Sequence, residues 1–160
     1  MTMHEQFLAQ AIELARRNVE EQGGRPFGAV LVRDGAVIAT GVNEIGTTGD
    51  PTAHAELQAV RAASRALGTP RLDGCVVYAS GHPCPMCLAA MTMTGVSAVY
   101  YAHSNEEGAP FGLSTAGVYA ELAKPLAEHT MTVRHLPVRL EGIDLYALWR
   151  DRLTATGPGS

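Results

Sequence analysis

Two short motifs, His54-Ala55-Glu56 and Pro83-Cys84-Pro85-Met86-Cys87, constrain this chain most. One imidazole and two thiolates are donors that suit zinc. Three protein ligands leave a fourth position open, which marks a catalytic rather than a structural metal. The spacing of Cys84 and Cys87 puts both sulfurs on one side of a first helical turn. Pro85 fits the first helical position, where no N–H is needed. The positive end of the helix dipole there favours thiolate over thiol. His54 opens a second predicted helix, so the fold must aim two helix N-termini at one ion. Glu56 lies beside the ligand set without belonging to it, which leaves its carboxylate free to carry protons.

Each half alone says little. A C-x-x-C pair also serves as a redox dithiol or as half of a zinc knuckle, and H-x-E is common in helices. The combination, with Pro83 ahead of the first cysteine and each half opening a helix, is far more specific. A closed structural site would need a fourth protein ligand at comparable spacing. Cys75 is a poor candidate, because Cys75-Val76-Val77-Tyr78 reads as a buried strand and a free cysteine behaves there as a small hydrophobe.

The rest of the pattern is that of an α/β protein. Phe7, Leu8, Ala11, Ile12, Leu14, Ala15 and Val19 recur at helical spacing over 3–22, and Gly23-Gly24 ends that helix. Two apolar runs, 27–32 and 36–41, joined by Asp34-Gly35, predict a hairpin. A loop over 46–51 precedes a helix over 54–67. A strand over 72–79, a helix over 85–93, a strand over 96–102 and a loop over 104–114 follow. A short helix over 118–123, a strand over 130–136 and a closing helix over 143–153 complete the order. Helices alternating with five strands predict a central sheet covered on both faces, a single domain over 1–153 and a flexible tail over 154–160.

The length of 160 residues suits one domain, and the net charge of −4, with no basic run, argues against tight binding to a nucleic-acid backbone. The start of the chain lacks the basic and apolar stretches of a signal peptide, and no apolar run approaches the roughly 20 residues that cross a bilayer. Three cysteines, two of them claimed by the metal motif, build no disulfide framework and fit a reducing compartment. A soluble cytoplasmic protein is expected.

The H-x-E … P-C-x-x-C arrangement is that of the zinc deaminases. The chain resembles the cytidine deaminase-like superfamily, and within it the bacterial guanine deaminase branch of small nucleobase deaminases. The resemblance rests on Pro26-Phe27-Gly28-Ala29-Val30, Gly41-Val42-Asn43, Asp50-Pro51-Thr52-Ala53-His54-Ala55-Glu56 and Pro83-Cys84-Pro85-Met86-Cys87-Leu88. It is strong over 27–101 and thinner to residue 149. It implies a three-layer α/β/α sandwich around a mixed five-stranded sheet, with one Zn2+ per subunit on His54, Cys84 and Cys87. It implies Glu56 as the catalytic proton carrier. It also implies a homodimer whose C-terminal segments can be exchanged over the active site. By the same resemblance Asn43 and the backbone N–H of Ala55 bind the ring, and Phe27 and His54 sandwich it.

Two departures bear on the substrate. His82 stands where this branch often has Glu, and is read as lining the pocket. The loop Phe111-Gly112-Leu113-Ser114-Thr115 lacks the acidic pair that reads the N–H donors of guanine, with Glu106, Glu107 and Glu141 as the nearest replacements. Tyr146 and Trp149 lie three apart on the closing helix, as a core or interface stripe or as an aromatic lid, with Trp149 a candidate substrate contact. The expected activity is deamination of a free base, guanine first. The alternatives are cytosine, isocytosine, an aminotriazine or a nucleoside, then adenosine in transfer RNA, and last a zinc scaffold without turnover.

Overall fold

The first helix, α1 (Met3–Gln22), is closed at both ends by local chemistry. The Thr2 hydroxyl accepts from the Glu5 N–H at 3.1 Å while the Glu5 carboxylate accepts from the Thr2 N–H at 2.6 Å, a capping box. Gly23 ends the helix in the left-handed region, at φ 63°. The buried face is Phe7, Ala11, Ala15 and Asn18; Ile12 and Val19, expected on it, are exposed.

The computed structural model describes residues 1–156. The chain divides into two compact units, Met1–Ala123 and Lys124–Ser160, where the sequence pattern reads one domain over 1–153.

In the first unit, β1 (Gly28–Arg33) and β2 (Ala36–Val42) form the expected hairpin, with Asp34 and Gly35 both at positive φ, as a two-residue turn requires. A single turn, α2 (Ile45–Thr48), replaces part of the expected loop. Then follow α3 (Ala55–Leu67), β3 (Cys75–Gly81), α4 (Pro85–Thr94), β4 (Ala98–His103), the short α5 (Asn105–Gly108) and α6 (Ala116–Leu122). Strand β3 starts later than the expected residue 72. The N–H of Leu72 is spent on the carbonyl of Thr94 at 2.7 Å, and Gly74, at φ 80°, turns the chain before the ladder begins.

The sheet runs β2-β1-β3-β4, antiparallel across the first two pairs and parallel between β3 and β4, so it is mixed. It has four strands, which corrects the expected five. Residues 130–136 form no strand. An isolated extended segment leaves its backbone groups unpaired and gains nothing without a neighbour, and the second unit offers none among its described residues.

The side-chain alternation of β1 and β3 builds two cores. Val30, Val32 and Tyr78 pack with Phe7 and Ala11 of α1 on one face. Ala29, Leu31, Cys75 and Val77 pack with Ala59, Val60 and Ala63 of α3 and Cys87 and Met91 of α4 on the other. The first unit therefore has three layers, α/β/α. Cys75 is fully buried in the second core, as expected of an inert thiol. Gly41 lets β2 lie directly on α3: a Cβ there would collide with the carbonyl of Ala55 and, at 2.7 Å, with the N–H of Ala59.

The second unit holds a 3-10 turn at Leu126–Glu128 and the helix α7 (Leu145–Thr156). Residues 154–156 of the expected tail continue that helix; the remainder lies outside the described residues. Leu136, Val138, Leu140, Leu145, Tyr146 and Trp149 are all well exposed. Among the described residues no helix is long and apolar enough to cross a membrane.

Candidate active site

Both motif halves open helices, the histidine half after the loop that follows α2 and the cysteine half just after β3. His54 is the N-cap of α3, with Ala55 and Glu56 in its first turn. Cys84 is the N-cap of α4, where its sulfur accepts from the Cys87 N–H at 3.4 Å and Pro85 occupies the first turn. The cysteines follow the C-terminal end of β3, the side on which open α/β sheets bind ligands.

The two helix starts converge. Cys84 Sγ and His54 Nδ1 lie 3.4 Å apart, and the ligand atoms of His54, Cys84 and Cys87 all fall within 4.8 Å of one another. A tetrahedral zinc with ligands at about 2.0–2.3 Å holds them roughly 3.5 Å apart. Donor chemistry and spacing both fit zinc.

The electrostatics of the triad follow from that closeness. The Cys84 thiol is pulled down to about 4, first by the Cys87 thiol hydrogen bond and then by those from His54 and the Cys87 backbone. Cys87, on the other side of the same hydrogen bond and buried, is pushed far up. The Cys84 sulfur raises His54, against the opposing effect of burial and of the Arg25 charge. Burial raises the Glu56 carboxyl, which is 5% exposed. A carboxyl moved toward neutrality is suited to taking up and giving back protons.

A cavity of about 130 Å³ opens beside the triad. It is well below the roughly 300–1,000 Å³ of drug-sized sites, so it suits a small ring. Phe27, Asn43, His54, Glu56, His82 and Cys84 all line it, which brings together most of the residues expected there. Asn43 is 4% exposed, and its Oδ1 accepts from the Ile45 N–H at 3.1 Å, leaving the amide nitrogen to donate. Phe27 also packs on the α3/α4 core, so its structural and cavity roles coexist. His82 stands 4.5 Å from Tyr101 and 5.5 Å from Tyr119, ring centre to ring centre. The Tyr119 hydroxyl donates to the Pro83 carbonyl and steadies the cysteine loop. Ala55 is fully buried at the first turn of α3, where its N–H has no intrahelical acceptor. Trp149 belongs to the second unit and is 65% exposed.

Gly112, Leu113, Ser114 and Thr115 line the same cavity, and among its described lining residues Glu56 is the sole carboxylate. Glu107 is spent elsewhere, pairing with His103 at 2.9 Å and capping α5. Two functional positions escape the sequence pattern. Arg25 lines the cavity, and Asn18 holds the backbone beneath it. The signal for Asn18 was a polar residue on the apolar stripe of α1; for Arg25 it was a lone cation between Gly24 and the Pro26-Phe27 motif.

Residues 1–103 match the cytidine and deoxycytidylate deaminase zinc-binding region. The chain belongs to the cytidine and deoxycytidylate deaminase family. It is a zinc-dependent enzyme of the nucleobase-deaminase kind. It is 42% identical to the guanine deaminase of Bacillus subtilis over 92% of this chain and 94% of that one. The solved structure of guanine deaminase from that organism matches with a TM-score of 0.81 and 38% identity, covering 100% of this chain and 98% of the other. A tRNA-specific adenosine deaminase of Aquifex aeolicus is 31% identical over 84% of this chain and 85% of its own length.

Proposed function

We propose that this enzyme hydrolyses guanine to xanthine and ammonia. The observation that carries the reading is the 42% identity to a guanine deaminase over nearly the whole of both chains. It is supported by a cavity sized for one small ring, with Glu56 and the His54–Cys84–Cys87 triad on its wall.

The zinc, when bound, acidifies a water toward a pKa of about 7, so that a nucleophile is available at neutral pH. Glu56 carries one proton from the attacking water to the ring nitrogen beside the target carbon, and a second from the hydroxyl so added to the departing amine, so that ammonia leaves as the carbonyl forms. His54, Cys84 and Cys87 hold the ion. Phe27 and the His54 ring face the base from either side. The Asn43 amide and the Ala55 N–H donate to its polar edge, and His82 closes one side of the pocket.

The enzyme works as a homodimer in the cytoplasm, with the C-terminal segment exchanged or shared and Trp149 reaching the base. Large exposed apolar side chains on the second unit support this, since such surface ordinarily meets a partner. Nucleic acid is not the substrate of this reading, given the net charge of −4 and the absence of a basic run.

Ammonia release from guanine, cytosine, their nucleosides and transfer RNA, assayed side by side with the zinc-loaded protein, tests the proposal. Release from guanine above all others is expected. Release from transfer RNA alone would place the chain with its adenosine-deaminase relatives, and release from none would sink the reading. Light scattering after size exclusion tests the dimer, which fails if the mass is that of one chain.

A further inference from the structure

We infer that Arg25 is a specificity residue, whose guanidinium holds the hydrogen-bond-accepting edge of the substrate ring that lies across from the leaving amine. This deepens the guanine reading and rests on it.

Arg25 lines the cavity that also contains His54 and Glu56. Its backbone is fixed: its carbonyl accepts from Asn18 Nδ2 at 2.9 Å and from the Phe27 N–H at 2.8 Å. Its guanidinium forms neither an ion pair nor a side-chain hydrogen bond among the described residues. Arg16, Arg17 and Arg71 have carboxylate partners, while Arg33, Arg65 and Arg134, which form none among the described residues, do not line the cavity. A cation kept on the wall of a catalytic cavity with no structural partner is available to substrate.

The rest of the wall has the same polarity. Asn43 has its Oδ1 engaged by the Ile45 N–H and both amide N–H donors still to offer. The loop Gly112–Thr115 brings no carboxylate, and the buried Thr115 hydroxyl has no partner among the described residues. Away from Glu56 the cavity therefore offers the Arg25 and Asn43 donors and no second carboxylate, while the Ser114 and Thr115 hydroxyls and the His82 ring can serve either way. A ring whose far edge presents a carbonyl oxygen and a bare nitrogen fits it. Guanine offers O6 and N7 on the edge opposite its C2 amine, and a planar arginine fork matches that pair bidentately.

The test is calorimetric, so that binding is read apart from turnover. Zinc-loaded wild type, Arg25→Met and Arg25→Lys are titrated with hypoxanthine, which has O6 and N7 but no leaving amine, and with purine, which lacks O6. Wild type should bind hypoxanthine more tightly. Arg25→Met should weaken hypoxanthine about 10- to 100-fold, the range of a charged hydrogen bond, and weaken purine at least fivefold less. Arg25→Lys should recover part of the loss, since it keeps the charge without the fork. Equal losses for both ligands, no loss for either, or a wild type that binds neither overturns the inference. If hypoxanthine binds through Arg25 while guanine yields no ammonia, the guanine reading falls and the role of Arg25 stands.

Discussion

The side-chain amide of Asn18 donates to the backbone carbonyl of Asn43 at 2.9 Å, joining α1 to the end of β2. The same nitrogen donates to the carbonyl of Arg25, also at 2.9 Å. One amide, 5% exposed, thus ties together the two segments that bring Arg25 and Asn43 to the cavity. Asn18→Leu keeps the volume but leaves the Asn43 carbonyl without its donor and the Arg25 carbonyl with the Phe27 N–H alone. It should cost about 1–3 kcal/mol in chemical denaturation and raise KM for the base, with zinc content unchanged. An unaltered KM would show that the tie does not position the site.

Glu56 lies inside the cavity but outside the triad. Glu56→Gln retains the shape and removes the proton carrier. It should lower kcat by about 10²- to 10⁴-fold while zinc, measured by elemental analysis, stays at one per chain. Near-normal turnover would contradict the role.

Loading the metal-free site with zinc should release protons in a pattern set by the triad. Cys84, near 4, is already a thiolate at neutral pH. Cys87 is held protonated by its neighbour and by burial, and must lose that proton to bind the ion. The ligands should therefore give up about one proton per site, to which ionisation of the zinc-bound water adds above its pKa of about 7. His54 is raised above its ordinary value, so as pH falls it carries more of a proton that zinc must displace, and affinity should fall. Ultraviolet thiolate absorbance of the metal-free protein at neutral pH should report one thiolate per chain, and none would refute the asymmetry.

Gly81 faces the Phe27 ring. A Cβ at that position would sit 3.0 Å from Cε1 and 3.2 Å from Cδ1, closer than side-chain carbons normally pack. Gly81→Ala should displace the ring that is proposed to stack on the base. The expected result is a loss of about tenfold or more in kcat/KM with a modest stability cost of about 1–3 kcal/mol. An unchanged kcat/KM would remove Phe27 from the substrate contacts.

Much of the first unit was legible in the chain. Helices α1, α3 and α4 and the hairpin lie close to where apolar spacing, Asp34-Gly35 and the terminal glycines put them. In each case the deciding signal is local: a cap, a turn or a periodicity within a few residues. The strand expected over 130–136 is the counter-example, because alternation alone cannot say whether a neighbouring strand exists. Likewise Ile12 and Val19 fit the periodicity of α1, yet the buried place on that side goes to Asn18, whose two acceptors come from loops near Arg25 and Asn43.

The sequence by itself determined the chemistry. His54, Glu56, Cys84 and Cys87 declare their roles because metal affinity, thiolate formation at a helix start and proton transfer are properties of residue types at short spacing. Resemblance already placed Phe27, Asn43 and His82 beside them; tertiary structure alone added Arg25. Arg25, Asn43 and Thr115 come from segments far apart in the chain, and their meeting depends on how strands cross and on which buried carbonyls must find a donor. Those are long-range packing conditions, and no local pattern encodes them.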